Sequence, residues 1–316
     1  MPATKSQVLI RHKRRRTGVL VPLLEDLFQK PVEIDSKEDV EWITSVLERM
    51  VERQHNRNFK PVFSPSQLSE CLRYVYLLKH WRELDIKKQG VVRLEPNYYF
   101  FNGNWLHLKW QFALYKLDKY VDDPKVFKLH GVEIPILSKH RDHGGTADAI
   151  CSIYEKPYIP DFKGLNVRTF GEITRGYVPE QYAVQLADYG MLYNSQRKNG
   201  SKIFNGLLVS ENKGGPDSRH PIALHETEIP IKTHLPEVRS RLETLRKHEK
   251  ANSIPKPECE STGSYQFQGC PFRGYCRKEV QKIEAKKRKA DRSDTAQLEV
   301  ARPSGSRNHR AGRNSK

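Results

Sequence analysis

The chain has 316 residues, 37% of them hydrophobic, five cysteines and a formal net charge of +17. That apolar content suffices for a substantial core in one large domain or two small ones. No apolar run approaches the ~20 residues of a membrane span, and sparse cysteines with no secretory-type segment ahead of them argue against an extracellular disulfide framework; a soluble protein is expected.

Positive charge sits at the ends. Residues 1–20 hold six basic residues (Lys5, Arg11, Lys13, Arg14, Arg15 and Arg16) and no acid, whereas residues 277–316 hold thirteen basic and five acidic ones. The body between them carries only +3. Residues 1–30 therefore read as a basic N-terminal segment, open to nucleic-acid tethering or to an organelle address. That segment is poor in serine, and Arg14–Arg16 is dense for an amphipathic transit helix.

In chain order, Ser36 caps a helix running to about Gln54, with Val40, Ile43, Val46, Leu47, Met50 and Val51 on one face. Ser64-Pro-Ser-Gln67 is a capping box with proline just inside it, opening a helix that carries Cys71. Asn102 to Phe112 reads as the start of another helix and presents His107 among aromatic residues. Strands follow near 126–136, 145–154 and 157–163, with Pro157 marking the turn before the third. Pro179 starts a helix in which Gln181, Gln185 and Tyr189 fall on one ridge, with Tyr182, Leu186 and Tyr193 opposite. Strands near 203–209 and 222–229 precede a last helix from Thr233 to about Glu249, with Val238, Leu242 and Leu245 inward. Residues 277–316 have little apolar content and read as a disordered basic tail that gains nucleic-acid affinity by counterion release, or serves solubility or a nuclear-type address.

The chemistry concentrates on three residues. Asp148, in Gly145-Thr-Ala-Asp148, precedes Asp161-Phe-Lys163 by thirteen positions. Alternation along a strand projects Asp161 and Lys163 together and turns Phe162 into the core. Two carboxylates with a lysine beside the second suit a divalent metal and an activated water working against phosphate. A lone Asp-x-Lys is most often a solvated charge pair, and a lone histidine among tryptophans is most often a core residue. Gln185 and Tyr189 read equally as ordinary surface and core positions of a helix.

The ordered series His107, Gly145-x-x-Asp148, Asp161-x-Lys163 and Gln185-x-x-x-Tyr189 resembles the motifs of the PD-(D/E)XK nuclease superfamily, in its RecB-like exonuclease branch, over roughly residues 64–276. The resemblance implies an α/β restriction-endonuclease-like core (αβββαβ) with helical additions. It implies Mg²⁺ or Mn²⁺ held by Asp148, Asp161, the Phe162 carbonyl and His107, with Lys163 orienting the attacking water and Gln185 and Tyr189 positioning the strand. The implied activity is phosphodiester hydrolysis at DNA ends or in single strands, in recombination, repair or viral DNA processing, with a helicase or recombination partner possible and a cytoplasmic setting.

The resemblance extends to the cysteines. Cys71 with Cys259, Cys270 and Cys276 resembles the iron-sulfur staple of RecB-like exonucleases, implying a 4Fe-4S cluster within a nuclease domain spanning 31–276. The ten-residue gap between Cys259 and Cys270 departs from the usual spacing, so zinc on the same thiolates and unliganded thiols stay open. Cys151 reads as a buried small hydrophobe. Two rivals stand beside the nuclease reading: a non-catalytic nucleic-acid-binding module on a nuclease fold, and a partner-dependent endonuclease.

Overall fold

The computed structural model describes residues 18–55, 63–89, 94–139, 142–197, 202–259 and 261–300. The expectations for Lys5 to Arg16 and for Arg302 to Arg307 lie outside these residues. The chain divides into two compact units: Met1–His80 with Val92–Pro255, and Trp81–Val91 with Lys256–Lys316. No helix among the described residues is long and apolar enough to cross a membrane.

The larger unit is a mixed α/β arrangement. Its helices are α1 (Val21–Leu27), α2 (Lys37–His55), α3 (Pro65–Leu68), α4 (Leu72–His80), α5 (Leu94–Tyr120), α6 (Val167–Ile173), α7 (Glu180–Gln196) and α8 (Ile231–Lys250). Its strands are β1 (Phe127–Leu137), β2 (Gly144–Ile153), β3 (Lys156–Leu165), β4 (Asn205–Asn212) and β5 (Leu224–Pro230), ordered 1-2-3-4-5 in one sheet. Only β3 and β4 pair in parallel, because α6 and α7 carry the chain between them; every other pair is antiparallel.

Both faces of the sheet are covered by helices, so the central strands β2, β3 and β4 are buried over most of their length, whereas β1 and β5 at the edges carry polar residues. On one face Leu24, Val46, Leu114 and Leu117 of α1, α2 and α5 pack with Phe127, Cys151, Phe162 and Val209. On the other, Leu186 and Leu192 of α7 and Val238, Leu242 and Leu245 of α8 pack with Ile136, Ile159 and Leu208. A Cβ on Gly190 would lie 2.1 Å from Ile231 Cδ1, so glycine is what lets α7 and α8 approach this closely.

Several expectations are corrected. The β2–β3 turn is Tyr154-Glu155, both left-handed at φ 50° and 66°, while Pro157 pairs with Ser152 inside the hairpin. Two consecutive left-handed residues match the twist of the flanking strands, but without Asn or Gly they leave no sequence signature. Cys71 is not inside a helix; it lies in the break between α3 and α4. The face predicted for α2 is half wrong: Val46 and Met50 are buried, but Val40, Leu47 and Val51 are 53%, 38% and 55% exposed. The docked edge is set instead by Trp42, stacked on Tyr115 at 4.6 Å, and by Asp39, 3.0 Å from Lys116 Nζ.

The segment boundaries also shift. Leu20, Leu23 and Leu24, placed in the basic N-terminal segment, are core residues, and the Glu226 carboxylate accepts the backbone N–H of Val19, Leu20 and Val21 at the start of α1. Residues 256–276 fall in the smaller unit. There α9 (Tyr265–Gly269) is followed by α10 (Arg273–Val300), so the supposed disordered tail is helical to residue 300. Its composition explains this: Lys, Arg, Glu, Gln and Ala are strong helix formers, and Phe272 and Val280 are fully buried.

Candidate metal centre

The catalytic candidates converge because three elements of the larger unit meet at the middle of β2 and β3. Helix α5 is seated by buried Leu108, Trp110 and Leu114, which leaves His107 on its sheet-facing flank. His107 Nδ1 lies 3.0 Å from Asp148 Oδ1. The ladder between β2 and β3 comprises the pairs 151–158, 152–157 and 153–156. Further along, Asp148 itself takes the place of a ladder partner: its Oδ2 accepts the Phe162 N–H at 2.9 Å. The N–H and C=O of one strand residue face the same edge, so the Phe162 carbonyl faces the Asp148 side as well.

On β3, Asp161 and Lys163 project together, and Phe162 turns the other way to stack on Trp110 at 6.3 Å. Lys163 Nζ is 2.9 and 2.8 Å from the two Asp161 oxygens. Helix α7 brings Gln185 Nε2 to 3.2 Å from Asp161 Oδ1, with Tyr189 one helical turn further along the same ridge. A Cβ on Gly145 would lie 3.3 Å from the Tyr189 hydroxyl and 2.9 Å from Pro65 Cδ. Glycine at the head of Gly145-x-x-Asp148 therefore lets α3 and α7 close over the start of β2. Gln181, on the same ridge as Gln185, is exposed and apart from this group.

Burial governs the electrostatics. Asp161 is pushed above the usual carboxylate range by burial, with the Asp148 charge adding to it and Lys163 opposing. Burial works the same way on Asp148, but His107, Lys163 and the Phe162 N–H outweigh it and hold that carboxyl below its ordinary value. Burial depresses the His107 imidazole, yet the facing Asp148 raises it above its ordinary value overall. Lys163 is likewise raised, its desolvation outweighed by Asp161 and Asp148. Burial and the two aspartates keep the Tyr189 phenol protonated far above neutrality.

Two residues of this centre stand outside the sequence-based expectation. Gln111, one helical turn beyond His107 and fully buried, donates from Nε2 to Glu133 Oε1 at 2.8 Å and to the Asp148 carbonyl at 3.0 Å. Glu133 is 5% exposed and reaches inward from an irregular stretch of β1, where the register shifts between Leu129 and Gly131 and Glu133 itself has φ 50°. The strand glycine at 131 is the sequence signal for such a bulge. Among the described residues, His107, Glu133 and Asp148 each offer a ligand atom, all within 4.8 Å of one another. Imidazole nitrogen with carboxylate oxygens is a donor set that fits Mg²⁺ or Mn²⁺.

A second buried pair stabilises the same neighbourhood. His143 Nε2 lies 2.6 Å from Asp188 Oδ2, with both side chains out of solvent. It ties the residue before Gly144 to the α7 position next to Tyr189. Of the cysteines, Cys151 is buried in the core beside the sheet, where burial pushes its thiol far up. Cys71 belongs to the larger unit and is partly exposed; Cys259, Cys270 and Cys276 belong to the smaller.

No protein-family model matches the chain, and no curated protein sequence matches it. Among solved structures, it is similar to the crystal structure of SSO0001 at 18% identity and a TM-score of 0.40, over 75% of this chain and 95% of that one. It is also similar to an alkaline exonuclease from Laribacter hongkongensis at 16% identity and a TM-score of 0.30, over 40% of this chain and 61% of the exonuclease. Likenesses this distant say nothing of activity.

Proposed function

We propose that this chain is a divalent-metal-dependent nuclease that hydrolyses phosphodiester bonds, most specifically a RecB-like exonuclease of the PD-(D/E)XK superfamily acting on DNA ends or single strands. The observation that carries the reading is the buried set of Asp148, Asp161 and Lys163, with the ammonium 2.8–2.9 Å from Asp161. Carboxylates are not kept out of water in this way without a positive charge to balance them, and one lysine leaves the pair uncompensated when His107 is neutral.

In this reading Asp148, Asp161, the Phe162 carbonyl and His107 hold Mg²⁺ or Mn²⁺. When bound, the ion supplies Lewis-acid polarisation of a phosphoryl oxygen and a water of lowered pKa. Lys163 then orients the attacking water and places its charge where negative charge develops on phosphorus-bound oxygen. Gln185 fixes Asp161 through its 3.2 Å contact, and Tyr189, held protonated, remains a hydrogen-bond donor beside Gly145 for positioning the strand. The basic chain ends add affinity for nucleic acid without sequence preference.

The cysteine-ligated cluster and the recombination or repair setting rest on the resemblance alone. Iron content and visible absorbance after anaerobic purification test the first. The nuclease reading is tested by incubating purified protein and Asp161→Ala with DNA and Mg²⁺ or Mn²⁺. Cleavage by the wild type and none by the variant is expected. A silent substitution favours the non-catalytic binding module, and cleavage of closed circular DNA identifies an endonuclease.

A further inference from the structure

We propose that Glu133 is a direct ligand of the divalent ion, delivered to the centre by the bulged stretch of β1. The inference rests on the metal-dependent reading above and extends it to a residue outside the motif series.

Three observations carry it. The first is geometric: the group whose ligand atoms all fall within 4.8 Å is His107, Glu133 and Asp148, drawn from α5, β1 and β2. Glu133 thus joins Asp148 and His107 from a third element, while Asp161 is steadied by Lys163 and Gln185. The second is charge. Asp148 and Asp161 set against Lys163 leave negative charge to balance when His107 is neutral, and Glu133 brings a further carboxylate into the same cluster. Glu133, Asp148 and Asp161 are 5%, 9% and 3% exposed, so water does little of this compensation.

The third observation is an oxygen. Gln111 turns its NH₂ onto Glu133 and the Asp148 carbonyl, and the carbonyl, which can only accept, fixes the amide orientation. Its Oε1, bonded to the same carbon and out of solvent, has no hydrogen-bond partner among the described residues. An orphaned amide oxygen in a cluster of carboxylates is costly unless a cation comes near it. Gln111 is then a positioning residue: it holds Glu133 by one oxygen and leaves the other for the ion.

The test is Mn²⁺ titration of the full chain, followed by calorimetry and by the paramagnetic resonance signal of free Mn²⁺, for wild type, Glu133→Gln and Glu133→Asp. Glu133→Gln keeps an acceptor for Gln111 and loses the charge, so its Mn²⁺ affinity should fall at least about tenfold. Should that variant not fold, Glu133→Asp carries the test. Aspartate tolerates the left-handed backbone better than glutamate and withdraws the oxygens by one methylene, so it too should bind more weakly. Wild-type Mn²⁺ affinity in a folded variant overturns the inference. The underlying nuclease reading fails by a different result, namely wild-type protein that binds Mn²⁺ and leaves DNA uncut.

Discussion

Replacing Lys163 with Met tests the charge balance of the centre apart from its chemistry. The Lys163 side chain is 21% exposed and that of Asp161 4%, with the ammonium 2.8 Å from one Asp161 oxygen. Methionine fills much of the same volume but leaves Asp161 buried next to Asp148 without its counter-charge. Breaking a buried pair by removing one partner costs about 3–5 kcal/mol; partial exposure of Lys163 argues for the lower end. A loss of about 3 kcal/mol is roughly a hundredfold in the folding equilibrium. Urea unfolding in EDTA at neutral pH should show a lower midpoint at unchanged slope. The penalty should shrink on acidification. Asp161 already has a folded pKa above its unfolded value of 3.8, so its charged form costs stability as pH rises through that window, and protonation relieves the cost. Saturating Mn²⁺ should recover part of the loss by replacing the missing charge. Wild-type stability in EDTA would refute the reasoning, because it would mean that Asp161 is stabilised by something other than Lys163.

Other outcomes follow from the same geometry. With a folded pKa above 6.5, His107 stabilises the metal-free protein through Asp148 fully below 6.5 and loses that contribution as pH rises through the folded value. Metal uptake runs the opposite way, so calorimetry in buffers of different ionisation enthalpy should record proton release on Mn²⁺ binding near pH 6.5 that vanishes at higher pH; a constant release contradicts His107 as a ligand. Asp188→Ala leaves the buried His143 ring without its partner and should cost about 1–3 kcal/mol in urea unfolding, whereas Asp188→Asn keeps a hydrogen-bonding group there and should cost much less; equal effects would mean that the charge of Asp188, and not the contact, is what stabilises. Gly145→Ala forces a methyl to 2.9 Å from Pro65 Cδ and should lose about 1–3 kcal/mol by overpacking, read as a lower thermal midpoint; an unchanged midpoint would show that α3 and α7 give way freely.

Much of this centre was legible in the sequence because its parts lie on regular elements. Period-two alternation is enough to send Asp161 and Lys163 one way and Phe162 the other, and helical spacing is enough to put Gln185 and Tyr189 one turn apart. Glu133 was not legible. Alternation of Val132, Ile134 and Ile136 hands it to the opposite face as an apparently solvated acid, and only the bulge after Leu129 and the left-handed backbone at 133 place it at His107. Gln111 escaped for a related reason: its role depends on the carbonyl of Asp148, and backbone acceptors leave no trace in side-chain patterns. The β2–β3 turn uses two left-handed residues of ordinary type, Tyr154 and Glu155, where turn chemistry pointed instead to Pro157. Low apolar content describes core-forming capacity but not helix propensity, so the basic C-terminal segment reads as disordered in sequence although α10 is helical, with Cys276 and Val280 buried near its start.

The central claim is that Asp148, Asp161 and Lys163 form a metal-dependent phosphodiesterase centre. Its most direct test is digestion of end-labelled single- and double-stranded DNA by wild type and Asp161→Ala, with Mg²⁺, Mn²⁺ or EDTA. The account predicts products from the wild type only when a divalent ion is present, and at least about a hundredfold less from the variant, since the loss of a ligand exceeds that of an outer-shell partner. Equal digestion by both proteins, or none by a wild type that binds Mn²⁺, would contradict it.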